Sequence, residues 1–176
     1  MQLPSFRGTL RADSGGGGTP MRLNGLYAIA AVAMITVATS ATAQTVDAAR
    51  PSSLVAALQE GGYKAALDTD GSGDPRIKSA ASGANFSIYF YGCTANTNCK
   101  SIQFSTSYTV KPKLTLQKIN EWNAKNRFAQ AYLDQDGDPV IQFDVVLQNG
   151  APSRLFLASV ERWTTAMGAF QTFIGW

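Results

Sequence analysis

Histidine is absent from all 176 residues, and cysteine and glutamate are scarce. Without histidine the chain cannot build a Ser-His-Asp triad, a Cys-His dyad or a His-ligated catalytic metal. Two thiolates alone fall short of the four ligands of a structural zinc site. The glutamates, Glu60, Glu121 and Glu161, stand in ordinary helical charge patterns. We therefore predict no catalytic residue, no metal and no cofactor.

Two aspartate-rich turns imitate a calcium loop, at residues 68–74 and 134–138. In the first turn the EF-hand pattern ends at Ser79, where a bidentate glutamate is required. In the second turn Pro139 stands where the loop needs glycine. Both stretches favour ordinary hairpin turns over calcium sites.

The N-terminal part divides into two segments before the domain. Residues 1–20 carry a glycine run and no hydrophobic period, which indicates a disordered extension or a mis-assigned start at Met1 in place of Met21. Residues 21–43 have the layout of a signal peptide, with a charged start, an apolar run and a cut after Ala43. The alternative is an uncleaved anchor, but an apolar run of 12 residues is short for the roughly 20 that span a bilayer. We expect a periplasmic or secreted protein, free of the membrane after cleavage.

Removal of this leader changes the charge balance. Three of the 15 basic and one of the 12 acidic residues precede Gln44, so the mature chain holds 12 basic and 11 acidic residues. Its few lysines and arginines form no basic stripe. We therefore expect no nucleic-acid partner.

The two cysteines, Cys93 and Cys99, lie at the inner ends of two segments with strand alternation, 84–91 and 101–106. Antiparallel pairing of these segments would bring the sulfurs together. In an oxidising compartment such a pair predicts a disulfide, which contributes roughly 2–3 kcal/mol for so short a loop.

The remaining pattern predicts a single α/β (α+β) domain at 53–176, after a short linker at 44–52. A helix opens at Pro51, and three main strands follow it, with a brief strand at 76–78 between the first two. The next helix starts at Thr115 as N-cap, buries Leu116, Ile119 and Trp122, and ends with a left-handed Asn126. Two strands, 128–133 and 140–147, then precede a final helix at about 153–173. The order is αβββαββα around an antiparallel sheet.

Four sequence stretches resemble the YbjN-domain family. They are Phe90-Tyr91-Gly92-Cys93, Ser101-Ile102-Gln103-Phe104 after the second cysteine, Asn120-Glu121-Trp122-Asn123 through Arg127-Phe128, and Ala131-Tyr132-Leu133-Asp134 running into Gly137-Asp138-Pro139-Val140. The family is described as bacterial sensory-transduction regulators with a fold like that of type III secretion chaperones. The resemblance spans about residues 54–174, implies the same αβββαββα order, and implies no enzyme activity.

Two surfaces are candidates for binding. Alternation turns Tyr89 and Tyr91 away from the apolar face of their strand, so an uncovered sheet would expose both rings for a peptide or sugar. The alternative is that a helix covers them. In the final helix an apolar seam with Phe173 is either core or a surface for pairing.

Three functions follow from these candidates. The favoured one is a non-enzymatic periplasmic interaction or regulatory module that binds a protein partner or a second copy of itself as a homodimer. The alternative is a small-ligand or glycan-binding protein that uses the tyrosine face. A carboxylate-based hydrolase is third, and it needs two facing carboxyl groups in one cleft.

Overall fold

The computed structural model describes residues 44–176. The predicted extension, signal peptide and cleavage point at 1–43 lie outside these residues. Within them no helix is both long enough and apolar enough to cross a membrane. The elements in chain order are β1 (Thr45–Val46), α1 (Pro51–Glu60), β2 (Ala66–Thr69), β3 (Pro75–Ala81), β4 (Ala84–Tyr91), β5 (Ser101–Ser107), α2 (Leu116–Lys125), β6 (Gln130–Leu133), β7 (Pro139–Val146), β8 (Ala151–Pro152) and α3 (Ser153–Ile174).

The mixed α/β class with antiparallel pairing is confirmed, and the strand count differs from the prediction. Four strands, not three, separate α1 from α2, because the segment predicted as a brief strand at 76–78 extends over the whole of β3. Residues 44–52, predicted as a linker, contain β1, which pairs antiparallel with β8. This short ladder joins the start of the domain to the start of α3.

The main sheet has the order β2-β3-β4-β5-β7-β6, and all neighbours pair antiparallel. Its apolar face packs against α1 and α3. At the centre the Phe104 ring stacks on Trp163 of α3 at 5.7 Å and on Phe143 of β7 at 6.1 Å between centroids. Because such rings bury large apolar areas, this cluster fixes α3 on one side of the sheet.

The helix α2 begins as predicted and buries Ile119 and Trp122 as predicted, but it differs from the prediction at Leu116 and at its C-terminal end. The Thr115 side chain accepts a hydrogen bond from the Lys118 amide at 3.2 Å, which confirms the N-cap. Leu116 is 75% exposed, so its predicted burial is wrong. The helix meets the sheet through its second half, where Asn123 bonds to the Ala131 backbone of β6 and Trp122 bonds to the Ala129 carbonyl just before that strand. Its first residue lies outside this contact. Asn126 is extended, and the left-handed residue is Ala129, with φ 63°.

Candidate functional site

One face of the main sheet is left uncovered by the described helices; we call it the open face. Strand alternation and register place its side chains in rows across the sheet. One row joins Asp68, Arg76, Tyr89, Gln103 and Asp144, and the next joins Lys78, Ser87, Ser105, Gln142 and Gln130. A third row runs from Asn85 and Ser107 through Val140 to Tyr132. The open face is therefore polar, with small serines in its middle and tyrosines on both sides.

The predicted tyrosines both lie on this face. Tyr91 is 46% exposed and Tyr89 is half-buried, while Phe86, Ile88 and Phe90 from the same strand are buried on the other side. The alternative in which a helix covers the two rings therefore does not hold among residues 44–176.

The hydroxyl of Tyr91 is a hydrogen-bond donor on the open face. It donates to Gln103 Oε1 at 3.4 Å, and Gln103 in turn donates to Asp144 Oδ1 at 3.0 Å. Partial burial, and then the nearby Asp144 carboxylate, raise the pKa of the Tyr91 phenol. The ring therefore offers a neutral hydroxyl at physiological pH.

A cluster of charged side chains lies near one edge of the open face, on β2 and β3. Arg76 donates two hydrogen bonds to the Asp68 carboxylate, at 2.9 and 2.8 Å, and Lys78 Nζ lies 2.7 Å from the same group. These bonds hold the pKa of Asp68 well below its usual range, and the Asp68 bond raises the pKa of Arg76. Since Asp68 stays ionised and is paired with Arg76 and Lys78, it is not a candidate proton donor.

A shallow groove of about 720 Å³ crosses the open face. Tyr89 and Lys78 line it from β4 and β3, Tyr132 lines it from β6, and Ser87 and Ser105 are among the residues between them. Tyr91 is not part of the lining. Tyr132 was not among the predicted site residues, although its alternation with Ala131 and Leu133 indicates an outward side chain.

The lining of this groove does not contain two carboxylates that face each other. Asp134 is the acidic side chain in the lining. Its Oδ1 accepts the backbone N–H groups of Asp136 and Asp138, at 3.0 and 2.8 Å. The paired carboxyl groups that a glycoside hydrolase needs are therefore not found in this groove.

The two aspartate-rich turns share one hydrogen-bond pattern. Asp70 Oδ1 accepts the N–H groups of Ser72 and Asp74, as Asp134 Oδ1 does for its own turn. Both turns read Asp-x-x-Gly-Asp-Pro and close the two outer hairpins of the sheet. Within residues 44–176 no group of three or more His, Cys, Asp or Glu side chains is placed to hold a metal ion. The carboxylates satisfy the turn backbone.

The Cys93–Cys99 disulfide is present, at the end of the β4–β5 hairpin. The loop that it closes reaches the neighbouring β2–β3 turn. Asn96 Nδ2 donates to Asp74 Oδ1 at 2.8 Å and to the Ser72 carbonyl at 3.2 Å. The disulfide thus braces two adjacent turns at one end of the open face.

The seam of the final helix is core. Val160, Trp163, Met167 and Phe170 are fully buried, and Ile174 is 6% exposed. Phe173 is half-buried, and its ring packs 5.5 Å from Trp122 with Lys118 Nζ above it at 4.2 Å. The structure therefore does not bring Phe173 together with Tyr89 and Tyr91; it lies on the helical side.

Most of the chain matches a known protein family. The sequence pattern of the YbjN family, described as "Putative bacterial sensory transduction regulator", matches residues 50–176. The chain belongs to the YbjN family. No curated protein and no solved structure matches it. The family description names a regulator and not an enzyme. The likeness of the YbjN fold to type III secretion chaperones stays a prediction.

Proposed function

We propose that this YbjN protein is a non-enzymatic regulatory module that acts outside the cytoplasm and binds a protein partner through its open face. The observation that carries the proposal is the uncovered sheet surface with Tyr89, Tyr91 and Tyr132 around small serines. Tyrosines are favoured at protein interfaces, because each ring supplies apolar contact area and a hydroxyl at little entropic cost.

The composition of the open face suits a partner that binds reversibly. Its central rows carry serine and glutamine side chains. Because these side chains can form hydrogen bonds with water, the face can remain exposed when no partner is bound. Tyr89 and Tyr132 lie in the rows on either side of Ser87 and Ser105, where their rings can contact a segment that crosses the sheet. An extended peptide or a loop of a partner fits this arrangement.

An extracytoplasmic location is supported by two features. The leader at 21–43 has the order of a cleaved signal peptide, and Cys93 and Cys99 form a disulfide. Disulfides persist in the periplasm and outside the cell and are rare in the cytosol. N-terminal sequencing of exported protein is expected to return Gln44 as the first residue.

A second candidate function is binding of a small ligand or glycan. The groove favours it, since Tyr89 and Tyr132 offer ring faces while Asn85, Ser87 and Ser105 offer hydrogen-bonding groups. The groove is open along the sheet, whereas most small-molecule sites enclose their ligand. A protein partner therefore remains the better supported occupant.

Variants of the open face test the proposal. The mature protein, immobilised and exposed to periplasmic extract, is expected to retain specific partners that the Tyr89→Ser/Tyr132→Ser double variant loses. Leu116→Ser is the matched control, because it removes an exposed apolar side chain outside the open face. Sizing over a range of concentrations separates a homodimer from a foreign partner, and oligosaccharides added as competitors report a glycan site.

The proposal fails if the double variant, shown to be folded by circular dichroism, retains the same partners as the wild type. Turnover in a hydrolase screen that one Asp or Glu substitution abolished would overturn the non-enzymatic part.

A further inference from the structure

A second exposed site lies on the helical side of the sheet. The loop after α2 places Phe128, 37% exposed, against the middle of α3. The guanidinium carbon of Arg162 lies 4.3 Å from the centroid of this ring, and that of Arg127 lies 5.1 Å from it. Beneath, the ring meets Phe143 edge-on at 6.2 Å. Two arginines from separate elements thus converge on one aromatic side chain.

Neither arginine has a carboxylate partner among residues 44–176, where the ion pairs are those of Asp68 and Asp138. Two like charges beside one ring repel each other, and within residues 44–176 no carboxylate lies close enough to form an ion pair with either arginine. A guanidinium stacked on a ring keeps its N–H groups free at its edge. The pair therefore presents two sets of guanidinium donors without a carboxylate acceptor among residues 44–176.

Beside this pair runs a groove of about 450 Å³, lined by small residues of α3, including Ala158, Ala166 and Ala169. The loop that carries Arg127 and Phe128 is fixed from below. Trp122 Nε1 donates to the Ala129 carbonyl at 2.9 Å, and this bond is buried. The backbone of this loop is thus anchored to α2 at Ala129, next to Phe128.

We propose that Arg127, Phe128 and Arg162 form a docking site for an acidic peptide segment of a partner protein. Carboxylates of the segment accept the guanidinium N–H groups, which arginine suits because its donors match the two carboxylate oxygens. An apolar side chain of the same segment lies on Phe128 and the alanine floor.

Charge selects this occupant over other anions. A lipid surface is recognised by clusters of four to eight basic residues and a nucleic acid by a basic stripe. Here the site holds two arginines with Glu161 in the same lining, on a mature chain with 12 basic and 11 acidic residues. The site does not depend on the open face, which lies on the other side of the sheet.

Fluorescence anisotropy tests the site. The probe is a fluorescein-labelled Glu-Leu-Glu-Glu-Leu-Glu peptide, with Gln in place of every Glu as the uncharged comparison. The wild type is expected to bind the acidic probe saturably and more weakly at higher salt. Arg127→Gln/Arg162→Gln is expected to weaken binding by roughly tenfold or more, the loss of at least one charged hydrogen bond. Glu161→Gln is expected to tighten binding, because it removes a repelling charge from the lining.

The matched control is Lys125→Gln, which removes an exposed positive charge of α2 that does not line the groove. It is expected to bind as the wild type does, as is Tyr89→Ser/Tyr132→Ser, so the failure of this site and that of the open face are distinguishable. The proposal is overturned if the wild type shows no saturable binding or if the folded double arginine variant binds equally well. Stronger arginine-dependent binding to phosphatidylglycerol vesicles or to an oligonucleotide would also overturn the choice of a peptide.

Discussion

Replacement of Asn123 by alanine is expected to open one edge of the sheet. The Asn123 side chain acts as a substitute strand for β6: its Oδ1 accepts the Ala131 N–H at 2.8 Å and its Nδ2 donates to the Ala131 carbonyl at 3.0 Å. Each bond is worth about 1 kcal/mol net, and alanine recovers about 0.6 kcal/mol of helix propensity. The free energy of unfolding should fall by about 1–2 kcal/mol.

Asn120→Ala is the matched control, since Asn120 is an exposed asparagine of the same helix. It gains the same helix propensity and loses no bond to β6, so the two variants should differ by about 2 kcal/mol in urea unfolding. Amide exchange at Ala131 should accelerate in Asn123→Ala alone. An uncapped edge also invites pairing between chains, so this variant should self-associate at higher concentration. Equal stability of the two variants, with Ala131 still protected, would refute the assignment of Asn123 as an edge cap.

Two further predictions concern the turns and the charged cluster. Cys93→Ser/Cys99→Ser should lower the free energy of unfolding by about 2 kcal/mol, measured by thermal unfolding against wild type with and without reductant; a wild type indifferent to reductant would contradict it. Because the pKa of Asp68 is depressed below its usual 3.8, its stabilising contribution is present above that pH and is lost as the pH falls below it. Asp68→Asn should therefore flatten the loss of stability on the acid side, and an acid unfolding curve of unchanged steepness would contradict this.

Most of the local structure could be predicted from the sequence, because it depends on neighbouring residues. The Thr115 N-cap, the Cys93–Cys99 hairpin and the limits of α3 follow from short-range rules on caps, turns and helical spacing. The prediction failed where contacts between residues far apart in the sequence determine which side chains are buried. Leu116 has the helical spacing of a buried residue, but α2 meets the sheet only further along.

The site could be predicted only in part for the same reason. Alternation fixes that Tyr89 and Tyr91 share a face, but it cannot say whether a helix covers that face. Tyr132 joins the groove only through the order β5-β7-β6, which places it beside Val140. Arg127 and Arg162 are far apart in sequence, and their meeting on Phe128 depends on how α3 crosses the sheet. No local pattern marks such a pair.

The composition of the open face suits exposure to water in the fold that residues 44–176 form. A face that is covered by a helix of the same chain would carry apolar side chains in its central rows, as the opposite face does with Ile88 and Phe104. Here the matching positions are Ser87, Ser105 and Gln103, which lose little by facing water. The tyrosines are therefore available without any opening of the fold. A partner would meet a surface already formed, which lowers the entropic cost of association and favours binding with little change in the backbone.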